Sequence, residues 1–176
     1  MVFWPTMDMP GLVSENVRDM SKRDRWDAHF IDMCRLVAKM SKDESTKVGA
    51  VIIGADREVL STGFNGIPRY CNDSSALRQQ RPEKYFWFEH AERNAIYNAA
   101  KNGIRLDGAT MYCSAPSCAE CARALIQSGI RRVIFPKNHA FLKREDWASN
   151  FTASREMLEE AQVKVRWYEG LGEDPA

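Results

Sequence analysis

Two short motifs in this chain must meet in space, and few folds allow it. His90-Ala91-Glu92 and Cys118-Ala119-Glu120-Cys121 are separated by 25 residues. Together, one imidazole and two thiolates form a donor set for tetrahedral Zn2+ that leaves a fourth position for water. A carboxylate two residues beyond the histidine is then placed to take protons from that water and hand them on. Each half alone carries little. H-x-E is a common accident, and a single C-x-x-C can equally be a redox pair, half of a four-cysteine zinc site or two unrelated cysteines. The other cysteines, Cys34, Cys71 and Cys113, are scattered and make no second pair. The joint motif therefore asks for a fold in which two segments distant in sequence present their starts to one point.

The hydrophobic pattern supplies such segments. Ser21-x-x-Asp24 resembles a capping box, and Trp26, Phe30, Met33, Val37 and Met40 follow at alternating four- and three-residue steps, so the spacing predicts an amphipathic helix ending near Ser41. Residues 47–53 form a short apolar run typical of a strand buried on both faces, and Gly54-Ala55-Asp56-Arg57 turns it into a second strand over Val59–Phe64. Residues 65–86 read as a long polar loop with a short helical piece near residues 76–80. A helix is predicted over residues 89–100, a strand over 109–114, a helix over 118–128 capped by Gly129, a strand over 132–135, a helix around 153–161 and a last strand over 163–167. This order implies an α/β fold of three layers (α/β/α), a five-stranded mixed sheet with helices on both faces. The helix between the last two strands makes them parallel through a right-handed crossover. Both halves of the motif then fall at helix N-termini, where free N–H groups and the helix dipole favour the thiolate form of Cys118 and Cys121. Residues 1–20 are expected to be an N-terminal extension, 21–170 a single domain and 171–176 a tail.

Composition narrows the classes further. A chain of 176 residues can bury one substantial core, and 44% hydrophobic with 28% charged residues describes a soluble globular protein. No apolar run approaches a membrane span, and the first 18 residues, with Asp8, Glu15 and two prolines, lack the order of a signal peptide. Five cysteines, two of them in one motif, fit a reducing compartment, so a cytoplasmic location is expected. With 25 basic and 24 acidic residues, and a richest basic stretch (69–84) that also carries Asp73 and Glu83, nucleic acid is disfavoured as the substrate.

Several blocks carry a resemblance. Ser41-Lys42-Asp43 precedes Val48-Gly49-Ala50-Val51; Gly63-Phe64-Asn65-Gly66-Ile67-Pro68 is followed by Asn72-Asp73; His90-Ala91-Glu92 comes next; and Cys118-Ala119-Glu120-Cys121-Ala122-Arg123 runs into Ile126-Gln127-Ser128-Gly129-Ile130. On these blocks the chain resembles the cytidine and deoxycytidylate deaminase superfamily over residues 24–168, and within it looks most like the deoxycytidylate (dCMP) deaminases. The pattern departs at three places. Pro116 stands one residue earlier than the usual Pro-Cys-x-x-Cys, Glu89 replaces a small or apolar residue, and Arg93 follows Glu92 where dCMP deaminases more often carry leucine.

The resemblance implies zinc ligation by His90, Cys118 and Cys121, proton transfer by Glu92, a backbone amide from Ala91 to the base carbonyl, and a contact from Asn65 to the sugar or base edge. It implies hydrolysis of dCMP to dUMP and ammonia without an organic cofactor, and assembly as a homohexamer. From position alone, Lys47 is a candidate for the phosphate, with Arg69, Arg78 and Arg81 as rivals. Trp87 and Phe88 are candidates for a stacking wall. Arg93 is expected to donate hydrogen bonds to a cysteine sulfur. A deaminase of another cytosine nucleotide or nucleoside, one of bases in tRNA or single-stranded DNA, and a zinc-stabilised module without activity remain the alternatives.

Overall fold

The computed structural model describes residues 22–137 and 139–170. The expected extension, the tail and the Ser21 cap lie outside the described residues. The elements are α1 (Lys22–Ala38), β1 (Gly49–Ile53), β2 (Val59–Phe64), α2 (Lys84–Trp87), α3 (Ala91–Lys101), β3 (Thr110–Cys113), α4 (Ala119–Gln127), β4 (Arg132–Pro136), α5 (Ala148–Glu160) and β5 (Lys164–Tyr168). The strands form one sheet in the order β2-β1-β3-β4-β5. Strand β1 pairs antiparallel with β2 and β3, whereas β3, β4 and β5 run parallel. The mixed five-stranded sheet and the parallel final pair are as the segment order implied.

Alternation along the strands divides the core into two layers. Ala50, Ile52, Met111, Cys113, Val133 and Phe135 face α3, α4 and α5. Val51, Ile53, Tyr112 and Ile134 face Phe30, Ile31 and Cys34 of α1. Strand β1 is buried along its whole length because helices cover both faces, which explains its uninterrupted apolar run. Helix α1 ends before the predicted Ser41, so Met40, read as its last core position, is exposed.

Two elements depart from the sequence reading. The long connection after β2 holds the expected helical piece as a 3-10 turn over Ala76–Gln79, but adds the single-turn helix α2, which is too short to leave a periodic signal. Helix α5 starts at Ala148, earlier than expected, and is preceded by 3-10 turns over Ala140–Lys143 and Glu145–Trp147. Among the described residues, no helix is long and apolar enough to cross a membrane.

The approach of α3 to the sheet is set by glycine and alanine. A Cβ at Gly63 would lie 2.3 Å from the amide nitrogen of Ala95 and 2.4 Å from the carbonyl oxygen of Ala91. The helix answers with a stripe of small residues, Ala91, Ala95 and Ala99, all fully buried. Gly63→Ala is therefore expected to push backbone against backbone and to lower stability by about 2–3 kcal/mol, the upper range for overpacking. Urea unfolding of the two proteins measures it; an unchanged midpoint would show that α3 can shift freely.

Candidate active site

His90 and Cys118 are the extended residues that open α3 and α4, with φ/ψ of −81°/156° and −76°/171°. Their conformations aim both side chains off the helix starts toward one another. The His90 Nδ1 lies 3.4 Å from the Sγ of Cys118 and 3.5 Å from that of Cys121. The three donor atoms fall within 4.8 Å of one another. Tetrahedral Zn2+ with ordinary bond lengths holds such donors about 3.5–3.8 Å apart. The donor set thus fits zinc in both chemistry and span.

The pair of cysteines is already prepared for a cation. A hydrogen bond from the Cys121 thiol, with help from His90, brings Cys118 down to about 4 despite its burial. The same contact with Cys118, together with burial, pushes Cys121 well up. The Cys121 thiol thus supports a thiolate at Cys118, and a bound dication would favour the thiolate at both positions.

Glu92 is the second residue of α3 and is almost fully buried. Burial raises its carboxyl pKa, a shift that would suit a group exchanging protons. The Ser117 hydroxyl donates to its Oε1 at 2.6 Å and fixes its orientation.

His90, Ala91, Glu92 and Cys118 line one cavity. Aromatic side chains of Tyr85, Phe88, Phe141, Trp147 and Phe151 wall it, and Arg81, Lys84 and Arg144 add positive charge. Asn65 also lines it, but most of its amide is engaged within the protein. Its Oδ1 accepts from the Val48 amide at 2.8 Å, and its Nδ2 donates to Asp43 at 2.9 Å and to the Thr46 carbonyl at 2.8 Å. What Asn65 keeps for a ligand is the second lone pair of its carbonyl oxygen.

The structure does not bring Lys47 or Trp87 to this cavity. Thr46 and Val48 line it, so Lys47 between them points outward and is exposed. Trp87 is drawn toward the neighbouring turn: its indole N–H donates to Glu83 at 2.7 Å, and the Arg78 guanidinium stacks 3.5 Å from its ring centre. Arg69 bonds Asn98 on α3, and Arg78 also donates to the Asn72 carbonyl at 2.5 Å, so of the basic rivals only Arg81 lines the cavity. Arg93 donates from Nε to Glu89 and from Nη1 to Glu120, in place of the expected sulfur contact. Sequence reasoning missed Lys84, Arg144, Ser117 and the aromatic set of Phe141, Trp147 and Phe151. The one available signal was the 141–147–151 aromatic spacing leading into α5.

Lys84 closes a buried network behind the wall. Its ammonium donates to Asp43 at 2.6 Å and to the Ser45 hydroxyl at 2.6 Å. Asp43 also accepts from the Ser45 and Thr46 amides, each at 2.9 Å. Burial pushes its carboxyl up, but Lys84 and these two amides more than offset that and hold it below the usual carboxylate range.

Residues 24–137 match the model of the cytidine and deoxycytidylate deaminase zinc-binding region. The chain belongs to this family. It is 36% identical over 153 residues to deoxycytidylate deaminase of Mus musculus, covering 82% of each chain. It is 39% identical over 144 residues to an uncharacterized deaminase from the luxG 3′ region of Aliivibrio fischeri, covering 81% of this chain and 93% of the relative. The crystal structure of the cyanophage S-TIM5 dCMP deaminase in complex with dCMP and dUMP superposes with a TM-score of 0.65 at 21% identity, over 84% of this chain and 98% of the other, and shares the fold.

Two substitutions test this geometry. Glu92→Gln, a near-isostere that cannot accept a proton, should keep fold and zinc content by elemental analysis while turnover falls on the order of 10³-fold; a variant keeping a tenth of the parent rate would remove Glu92 from proton transfer. Lys84→Met should destabilise by about 3 kcal/mol at neutral pH by leaving a buried carboxylate unpaired. The depressed Asp43 pKa contributes stability above its unfolded value of 3.8, and that contribution is lost as pH falls through the folded pKa. Without Lys84, burial raises the folded pKa instead, so the gap between the two proteins should narrow from pH 7 to pH 4. Urea midpoints at both pH values measure it, and a gap independent of pH would contradict this account of the pair.

Proposed function

We propose that the chain hydrolyses dCMP to dUMP and ammonia, with zinc held by His90, Cys118 and Cys121. The observation that carries this reading is Glu92, a buried carboxylate of raised pKa in the same cavity as the three-donor cluster. The bound metal would supply the Lewis acidity that makes water nucleophilic near neutral pH. Glu92 takes the proton of the attacking water, delivers it to N3 of the cytosine ring as C4 is attacked, and carries a second proton to the departing amine. Ser117 keeps the carboxylate aimed through both transfers. The aromatic walls offer faces for the base, and we assign the base carbonyl to the amide of Ala91, which lines the same cavity. Relatives named deoxycytidylate deaminase, at 35% identity in Homo sapiens and 36% in Mus musculus, support the choice of substrate.

The cations around the cavity favour a nucleotide over a nucleoside. Lys84 is matched by Asp43. Arg144 pairs with Asp146 at the surface and lies over the Phe141 and Trp147 rings. Arg81 is exposed and makes no ion pair among the described residues. We assign the 5′-phosphate to Arg81 and Arg144, whose guanidinium forks suit a phosphate better than a point charge does. We also read residues 21–170 as one catalytic domain acting in a homo-oligomer, with the exposed Tyr70 and Phe86 available for self-association.

The experiment is a comparison of dCMP with deoxycytidine. The parent protein should prefer dCMP by roughly 10²-fold or more in kcat/KM. Arg144→Ala and Arg81→Ala should erode that preference by lowering only the dCMP value, with Lys47→Ala as a silent control. Equal efficiency on the two compounds would replace the nucleotide reading with a nucleoside one.

A further inference from the structure

Two of the departures from the dCMP deaminase pattern, Glu89 and Arg93, touch each other. Arg93 lies on the first turn of α3, three residues after His90, and its Nε donates to the carboxylate of Glu89, the residue just before His90. The same Glu89 Oε1 accepts from the His90 backbone amide at 3.0 Å. From its other side, Arg93 donates through Nη1 to Glu120, which stands between Cys118 and Cys121 on α4. One guanidinium therefore spans from the helix start that carries His90 to the helix start that carries both cysteines. Arg93 and Glu89 are largely buried, with side chains 15% and 21% exposed, whereas Glu120 is 57% exposed. None of the three lines the cavity.

We propose that Glu89, Arg93 and Glu120 form a bracket that fixes the separation of the two ligand-bearing helix starts, and that this bracket sets how long the chain keeps its metal. The inference rests on the zinc reading of the cluster. Arg93 is a positioning residue, since it acts on the donors through the backbone of His90 and the first turn of α4. A guanidinium suits this place because its planar fork can serve two carboxylates at once, in fixed directions, which an ammonium cannot.

Mechanical and purely electrostatic roles predict opposite signs. If Arg93 acted only through its charge, removing a cation near the site would strengthen the hold on a dication. If it acts as a bracket, removing it frees the two helix starts to part, and the metal leaves sooner.

The test is the rate of zinc transfer from the loaded full-length protein to an excess of a chromogenic chelator. Arg93→Met and Glu120→Gln should each release zinc roughly 10-fold faster or more, the usual scale for removing a group that orients metal ligands. Arg93→Lys should fall between, and Arg93→Met combined with Glu120→Gln should release no faster than Arg93→Met alone, because both break the same link. Melting curves accompany each variant; if Arg93→Met fails to fold, Arg93→Lys decides, because it keeps the charge and loses the fork, and release from it at the parent rate overturns the bracket. Release from Arg93→Met or Glu120→Gln at the parent rate, or more slowly, overturns the bracket while leaving the zinc reading intact. A parent protein found free of zinc by elemental analysis overturns both.

Discussion

The distance at which α3 rests on the sheet sets the position of the donors at its start. Gly63 and the alanine stripe bring helix backbone against strand backbone, so His90, at the head of that helix, starts from a fixed depth. The rest follows from chain direction. Helix α3 leads away from the site, β3 returns antiparallel to it, and α4 leaves again as the crossover to the parallel strand β4. Two helices that leave the same end of a sheet must both start there. The convergence of His90 with Cys118 and Cys121 is thus a consequence of topology, with side chains adding only the last few ångströms.

That convergence places two sulfurs and a carboxylate in a small buried volume, which would be costly without compensation. The helix starts supply N–H groups and dipole charge, and the metal implied by the donor set would supply the remainder. A second buried carboxylate, Asp43, shows the same logic without a metal. It accepts from Lys84, Asn65 and two backbone amides and so ties together the 41–48 connection, the end of β2 and α2. Such a network fixes geometry in a way that a surface pair like Arg105–Asp107, with side chains 83% and 53% exposed, does not.

The same contrast explains what could be read from the chain beforehand. Strand β1 and the helices carrying the motif declared themselves because their faces repeat against a common core. Asn65, His90, Ala91, Glu92, Cys118 and Cys121 were nameable because each stands in a compact block of sequence, and the structure gathers them at or just beneath one cavity. Lys47 and Trp87 were chosen for proximity along the chain, and both fail on direction: a strand-like alternation turns Lys47 outward, and Glu83 and Arg78 draw Trp87 aside. Lys84 and Arg144 gave no signal because their placement depends on partners 41 residues away or on irregular turns. Periodicity reports burial against a layer and is silent about a wall built from loops.

This division has a consequence for how the site is made. The floor, with its donors and Glu92, is anchored to the layered core, where a shift of any element disturbs packing on both sides. The walls come from the segment running from Arg81 to Phe88 and from the turns that lead from Phe141 into the first turn of α5 at Phe151, held by polar anchors such as Asp43–Lys84 and the Ala119 amide donating to Asn150 at 2.7 Å. Substitutions in the walls can therefore reshape the cavity without moving the cluster beneath. The donors and Glu92 rest on helix-on-sheet packing, whereas the groups that would meet the rest of a substrate stand on turns and helix starts, tied to the core through side chains such as Phe141. A family built this way can keep one chemistry while its members differ in what they admit.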